Sequence, residues 1–289
     1  MNTLFPNFQT IQTKGRILCF EKPLIMGILN ITPDSFFEKS RVQQADEVLQ
    51  KAQMMLDQGA DILDIGGHST RPNAASVSIQ EELDRVLPII ELLESRFPNA
   101  FLSIDTYRLD VAKQAIQSGA HLVNDIGCGN MDEGMLDWVG TENVPYILSH
   151  SVGQFNEVHQ LPNYLNIIQE VFSDLSSKIQ YLRKLGNTNV LVDPGLGFSK
   201  SLDQNYELLS QLGELTRLGA PILVGVSRKT MICRQLNIKA EDALNGTSAL
   251  HMFALMKGAN IVRVHDVKEA KEVIDLFVKL KQYGVSDFS

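Results

Sequence analysis

Cysteine is scarce in this sequence of 289 residues: Cys19, Cys128 and Cys233 are widely separated and form no C-x-x-C pair. An odd count at such spacing argues against a disulfide framework or a zinc site, and reduced thiols in a cytosol are expected. Long apolar runs are also missing. No stretch approaches the roughly 18 residues of a membrane span. The opening "MNTLFPNFQTIQTKGRI" lacks the basic start and apolar run of a secretory signal. Basic residues are in the minority, and the net charge of −8 argues against nonspecific nucleic-acid binding. The expected setting is therefore the cytoplasm, with small-molecule partners, no nucleic acid and no membrane. No Pro/Ser-rich linker or low-complexity block divides the chain, so residues 1–289 read as a single domain.

What is present is repeated alternation. Short apolar runs at 24–30, 61–67, 100–106, 121–127, 145–150, 189–195, 221–228 and 260–265 predict eight strands. Helical patterns fall between them at about 44–58, 79–97, 108–118, 163–185, 203–218 and 240–257, and 267–283 closes the chain. A short pattern at 131–140 holds Gly134 and is the weakest of the set. Strand–helix alternation implies a parallel sheet, and eight units in roughly 260 residues suit an α/β (β/α)8 TIM barrel. Residues 1–22 read as an N-terminal extension and 23–283 as the barrel. "QGAD", "SGAH" and "KGAN" precede the second, fourth and eighth strands, where glycine is expected to cap the preceding helix.

The stretch "ADILDIGGHSTRP" (60–72) places Asp64 inside an otherwise apolar strand. It is not alone. Polar or ionisable residues end nearly every strand: Asn30, Asp64, Asp105, Asn124 with Asp125, His150, Asp193, Ser227 with Arg228 and Lys229, then Arg263 with His265. In a barrel these ends meet at one mouth. Helix capping accounts for a single Asp or Asn, but it does not ask for Lys, Arg and His. Buried Asp and Asn suit the edges of a flat nitrogen heterocycle, and Arg71, Lys229, Arg263 and His265 suit phosphate or carboxylate oxygens. "DPGLGFSKS" (193–201) is not a Walker A loop, because Ser199 stands where that motif needs its second glycine.

In this order, "GILNITPDSFF", "DIGGHSTRP", "SIDT", "NDI", "VDPGLGFSK", "VGVSRK" and "RVHDV" resemble dihydropteroate synthase from about residue 24 to 283. The last three are specific together. The resemblance implies a pterin-binding barrel that joins 4-aminobenzoate to 6-hydroxymethyl-7,8-dihydropterin diphosphate, releasing diphosphate with magnesium (Mg2+) present, as a homodimer. It assigns Asp105, Asn124, Asp193 and Lys229 to the pterin ring, with Phe198 shaping that pocket. Asn30, Thr70, Arg263 and His265 are expected to face the diphosphate, with Asn30 contributing to the magnesium site. Phe36, Thr70, Arg71, Pro72 and Ser227 are expected around aminobenzoate. The catalytic set is Lys229, Arg263, His265 and Asp105. Sulfonamides mimic aminobenzoate, so this pocket would be their target.

Several residues depart from the family pattern. His68 stands where glutamate is usual. "SFFEKSRVQ" replaces a glycine-containing first loop, with Glu38 near the usual aspartate. "LSHSVGQ" replaces a histidine–methionine pattern after the fifth strand, and Ser199 replaces glycine. Two other readings share the barrel: a pterin-dependent methyltransferase and a non-catalytic pterin-binding subunit. The anion-binding "SRK" and "RVHDV" speak against the first, and retention of Arg71, Lys229, Arg263 and His265 against the second.

Overall fold

The computed structural model describes residues 10–31, 41–68, 77–153, 155–157 and 160–284. Eight parallel strands are present where the apolar runs predict them: β3 (Leu24–Asn30), β4 (Ile62–Gly66), β5 (Phe101–Asp105), β6 (Leu122–Asp125), β7 (Tyr146–Ser149), β8 (Val190–Asp193), β9 (Leu223–Val224) and β10 (Ile261–Val264). They follow a two-stranded hairpin of β1 (Thr10–Thr13) and β2 (Arg16–Cys19). The parallel sheet runs β8-β7-β6-β5-β4-β3-β10-β9. A bridge from Val192 to Ile222 joins its two ends and closes a TIM barrel.

Around the strands lie α1 (Arg41–Asp57), α2 (Ile79–Arg96), α3 (Leu109–Gln117), α4 (Met135–Thr141), α5 (Ile167–Leu185), α6 (Leu202–Ser210), α7 (Thr230–Leu236), α8 (Leu244–Met256) and α9 (Val267–Gln282). Their ends are written in the sequence. Ser78 and Glu81 form a capping box on α2, as do Ser201 and Gln204 on α6. The glycines of the three "GA" motifs, Gly59, Gly119 and Gly258, adopt φ of 101°, 124° and 97°, the left-handed turn expected there.

Four features differ from expectation. The helix predicted over 203–218 stops at Ser210, and a 3-10 stretch, Leu212–Leu218, continues it past Gly213. The pattern at 240–257 divides into a 3-10 turn, Ala240–Asp242, and α8. The seven-residue α7 is too short to show a period and was not foreseen. The extension contains the hairpin, whose Lys14–Gly15 turn has φ of 46° and 76°, the primed geometry that matches strand twist.

Side chains alternate between two cores. Leu63, Ile65, Leu102 and Ile104 face outward and pack under the helices. Inward, Leu24, Met26, Ile62, Phe101, Leu122, Ile147, Leu191, Leu223 and Ile261 form a separate cluster with Ile11, Leu18 and Phe20 of the hairpin segment. The hairpin thus plugs the N-terminal end of the barrel. With both faces buried, the strands read as near-continuous apolar runs. Each fully buried Leu or Ile contributes about 1.5–3 kcal/mol, and this anchors strands whose upper halves are polar.

Candidate active site

The next inward position above the apolar layer is polar on strand after strand. Ile62 gives way to Asp64, Leu122 to Asn124, Ile147 to Ser149, Leu191 to Asp193 and Ile261 to Arg263; on β5, Ser103 and Asp105 follow Phe101. Asp105 lies beside Asn124 in register, and Ser149 beside Asp193. Asp64 is therefore an inward residue of the barrel, while its neighbours Leu63 and Ile65 belong to the outer core.

Arg263 is the hub. Its Nε donates to Asp64 Oδ2 at 2.6 Å and its terminal nitrogen to Asp105 Oδ2 at 2.5 Å. Asn124 Nδ2 donates to the same Asp64 oxygen at 3.0 Å. Burial opposes the Arg263 charge, but the two carboxylates outweigh it and move its pKa above the usual arginine value. For Asp105, burial and the negative charge of Asp64 act against the pull of Arg263 and raise its carboxyl to about 7. Asp64 is fully buried. Its orientation follows from the pairing: an unpaired carboxylate inside a barrel would cost several kcal/mol.

The loop after β8 builds the opposite wall. Asp193 Oδ1 accepts from Gly195 N at 2.7 Å, and burial raises the Asp193 pKa despite nearby Lys229. Gly195 has φ of 69°, and a Cβ there would lie 1.8 Å from the His150 carbonyl oxygen, so only glycine fits. Lys229 donates to the Leu196 carbonyl and lies 4.7 Å from the centre of the Phe198 ring. Burial lowers its pKa to about 8 against the attraction of Asp193. Gly225, the inward position after Leu223, keeps space open beside Lys229 and Arg263. Ser199, which the sequence resemblance sets in place of a glycine, adopts positive φ, 49°. Its hydroxyl donates to Val152 O at 3.0 Å and accepts from Val152 N at 3.1 Å, bonds that offset the strain.

Sequence reasoning passed over Lys200, although the signal was present as the lysine of "GFSK". Its buried Nζ lies within 3.3 Å of the carbonyls of His150, Gly195 and Phe198, and 3.1 Å from His150 Nδ1. Burial brings its pKa down to about 7. His150 is buried behind this loop, and burial together with Lys200 lowers its pKa to about 2. It is thus a neutral acceptor that supports the loop.

Ser227 and His265 meet at the mouth, with Ser227 Oγ 3.0 Å from His265 Nδ1 and accepting from His265 N at 3.2 Å. Burial and Arg263 lower the His265 pKa to about 4, so its ring is neutral at physiological pH. Asn30 is exposed at the end of β3, its Oδ1 3.3 Å from where a Cβ on Gly66 would stand. Two strand-end residues turn away from the cluster. Asp125 accepts from Gly127 N, Gly129 N and Tyr146 OH, shaping the loop after β6. Arg228 forms paired bonds with Asp266, both at 2.8 Å. Phe36, Glu38, Thr70, Arg71 and Pro72 lie outside the described residues.

Among the described residues, no cluster of three or more His, Cys, Asp or Glu side chains could hold a metal ion. The exposed Asn30 oxygen is a single hard donor. That fits magnesium, which keeps its waters and binds substrate phosphates through one or two protein oxygens.

This mouth can grip a flat, polar heterocycle between carboxylates and present cations to an anion. The family profile described as pterin binding enzyme matches residues 26–265. The dihydropteroate synthase of Escherichia coli K12 is 38% identical over 263 residues, 90% of this chain and 93% of that one. This chain belongs to the dihydropteroate synthase family. The synthase from Yersinia pestis, solved with a sulfonamide drug, has a TM-score of 0.87 at 39% identity, covering 95% of this chain and all of that one. That of Xanthomonas albilineans with 4-aminobenzoic acid has a TM-score of 0.86 at 35% identity, covering 95% and 99%. In this member of a transferase family, the barrel sets the "DPG" loop and the Arg263 hub in one frame.

Proposed function

We propose that this chain condenses 6-hydroxymethyl-7,8-dihydropterin diphosphate with 4-aminobenzoate, giving 7,8-dihydropteroate and diphosphate in folate synthesis. The observation that carries the reading is the convergence of Asp105, Asn124, Asp193, Lys229 and Arg263 on one barrel mouth, in a chain of this family. Asp193 and Asp105 accept from the amino and NH groups of the pterin, Asn124 reads another edge, and Phe198 bounds the ring. The bond from the pterin methylene to the diphosphate oxygen breaks, and its electron pair leaves with the diphosphate. The ring carboxylates favour the cation that remains, and the neutral arylamine attacks the methylene and then loses a proton.

Arg263 and Lys229 supply positive charge, and His265, neutral here, contributes a hydrogen bond rather than a charge. Asn30 would hold magnesium, which when bound neutralises charge on the diphosphate oxygens. Ser227 borders the aminobenzoate side, together with Phe36, Thr70, Arg71 and Pro72, and Thr70 also meets the diphosphate. A sulfonamide, as a mimic of aminobenzoate, would compete there.

A homodimer is supported by α8, which leaves the large apolar side chain of Phe253 exposed. Leu276 and Leu280 of α9 are exposed as well. No helix among the described residues is long and apolar enough to cross a membrane, which is compatible with the proposed cytoplasmic location. Residues 1–289 are read as one domain, with the hairpin of the extension contributing to its core.

The test is product formation from purified protein, both substrates and magnesium, with titration of a methylfolate as the control for a methyltransferase. Lys229→Ala and Asp193→Asn should each lower turnover about 10- to 100-fold, the value of a charge-assisted hydrogen bond, while circular dichroism stays unchanged. Near-normal turnover in both would contradict the assignment.

A further inference from the structure

His68 is 7% exposed, and among the described residues neither ring nitrogen has a hydrogen-bond partner. That is an unusual position for a polar side chain, since buried polar groups are normally paired. What the ring does have is aromatic neighbours. It lies 4.4 Å from the Phe155 ring at 31°, and Phe155 lies 4.8 Å from Tyr107 in a stacked arrangement at 21°. The three rings come from three different segments, those following β4, β7 and β5. Asp105, two residues before Tyr107, lines the same narrow cleft with Glu82 and Thr106.

The surroundings explain why an uncharged ring suits this position. Glu82 is almost fully buried and already receives Arg108 at 2.7 Å, while Arg108 also donates to Val77 O at 2.6 Å. Arg85 donates to the Gly67 carbonyl at 2.9 Å. The local cations are therefore committed to Glu82 and to backbone. A second carboxylate here would be buried beside Glu82 with neither Arg108 nor Arg85 left uncommitted. Burial and these two arginines lower the His68 pKa to about 4, so the ring is neutral and free to stack.

We propose that His68 is a positioning residue: its neutral ring, through Phe155 and Tyr107, fixes the segments after β4, β5 and β7 to one another beside the cleft. Its contribution is aromatic surface, and its nitrogens are incidental. The inference rests on the proposed synthase reaction for its kinetic consequence. The pterin side is spared, because Asp64 and Asp105 are held independently by Arg263 and Asn124. The arylamine must be placed by the segments around the mouth, so it bears the cost of loosening them.

His68→Phe keeps the ring and removes both nitrogens, whereas His68→Ala removes the ring. Steady-state kinetics should show KM for 4-aminobenzoate raised about three- to tenfold in His68→Ala, the range expected for one aromatic pair. Pterin diphosphate affinity by calorimetry should stay within about twofold, and His68→Phe should resemble wild type in both. Phe155→Ala should reproduce His68→Ala, and combining the two should add little. Amide hydrogen exchange without substrate supplies a readout independent of the reaction: segments 66–68, 106–108, 151–153 and 155–157 should exchange faster in His68→Ala but not in His68→Phe. An impairment of His68→Phe equal to that of His68→Ala would overturn the proposal, as would unchanged exchange in His68→Ala. The expected exchange pattern across these variants, together with a wild-type protein that makes no product, would retire the synthase reading and leave the stack standing.

Discussion

Asp64 gives the sharpest test of the network, because two substitutions separate its charge from its shape. The carboxylate is fully buried, and one oxygen receives both Arg263 Nε at 2.6 Å and Asn124 Nδ2 at 3.0 Å. The other oxygen has no partner among the described residues. Asn at this position can keep its carbonyl toward the two donors, with its amide in the place of Asp64 Oδ1. It exchanges a charge-assisted bond for a neutral one, a loss of about 1 kcal/mol. Asp64→Ala strands a guanidinium nitrogen and an amide inside the barrel, and breaking a buried pair in this way costs about 3–5 kcal/mol.

Urea unfolding followed by the fluorescence of the single tryptophan, Trp138, should rank wild type above Asp64→Asn and both well above Asp64→Ala, with the m-value unchanged. Pterin diphosphate affinity should fall in the same order, because Arg263 and Asn124 lose their orientation. Stability of Asp64→Ala within about 1 kcal/mol of wild type, with unaltered pterin affinity, would refute the claim that this carboxylate fixes the hub.

Two further outcomes follow from the same geometry. Asp105 loses its charge as pH falls through about 7, and Lys229 loses its charge as pH rises through about 8. Pterin diphosphate binding should therefore be strongest between those values and fall on both sides, with no limb from His265, which is already neutral above about 4. Calorimetry from pH 5 to 10 checks this, and affinity that stays level across that range would contradict it. Gly195→Ala sets a Cβ against the His150 carbonyl at 1.8 Å. It should lower the thermal midpoint and pterin affinity together, whereas Ala at Gly186, where nothing lies within 4 Å, should leave binding unchanged.

Much of the molecule was legible in the residue order because local rules coincide with the fold. All eight barrel strands are short apolar runs, since a parallel sheet is buried on both faces, and the "GA" glycines and the capping boxes mark helix ends by backbone chemistry alone. The polar strand ends also identified the mouth, including the anomaly of Asp64. What the sequence could not decide was partnership across long separations. That Arg263 reaches Asp64 and Asp105, 199 and 158 residues away, depends on how the barrel closes. The same closure turns Asp125 and Arg228 away from the mouth, makes His265 neutral, and brings Lys200 beneath its loop. Burial and three-dimensional neighbours set charge and orientation, and neither is a property of a residue's place in the chain.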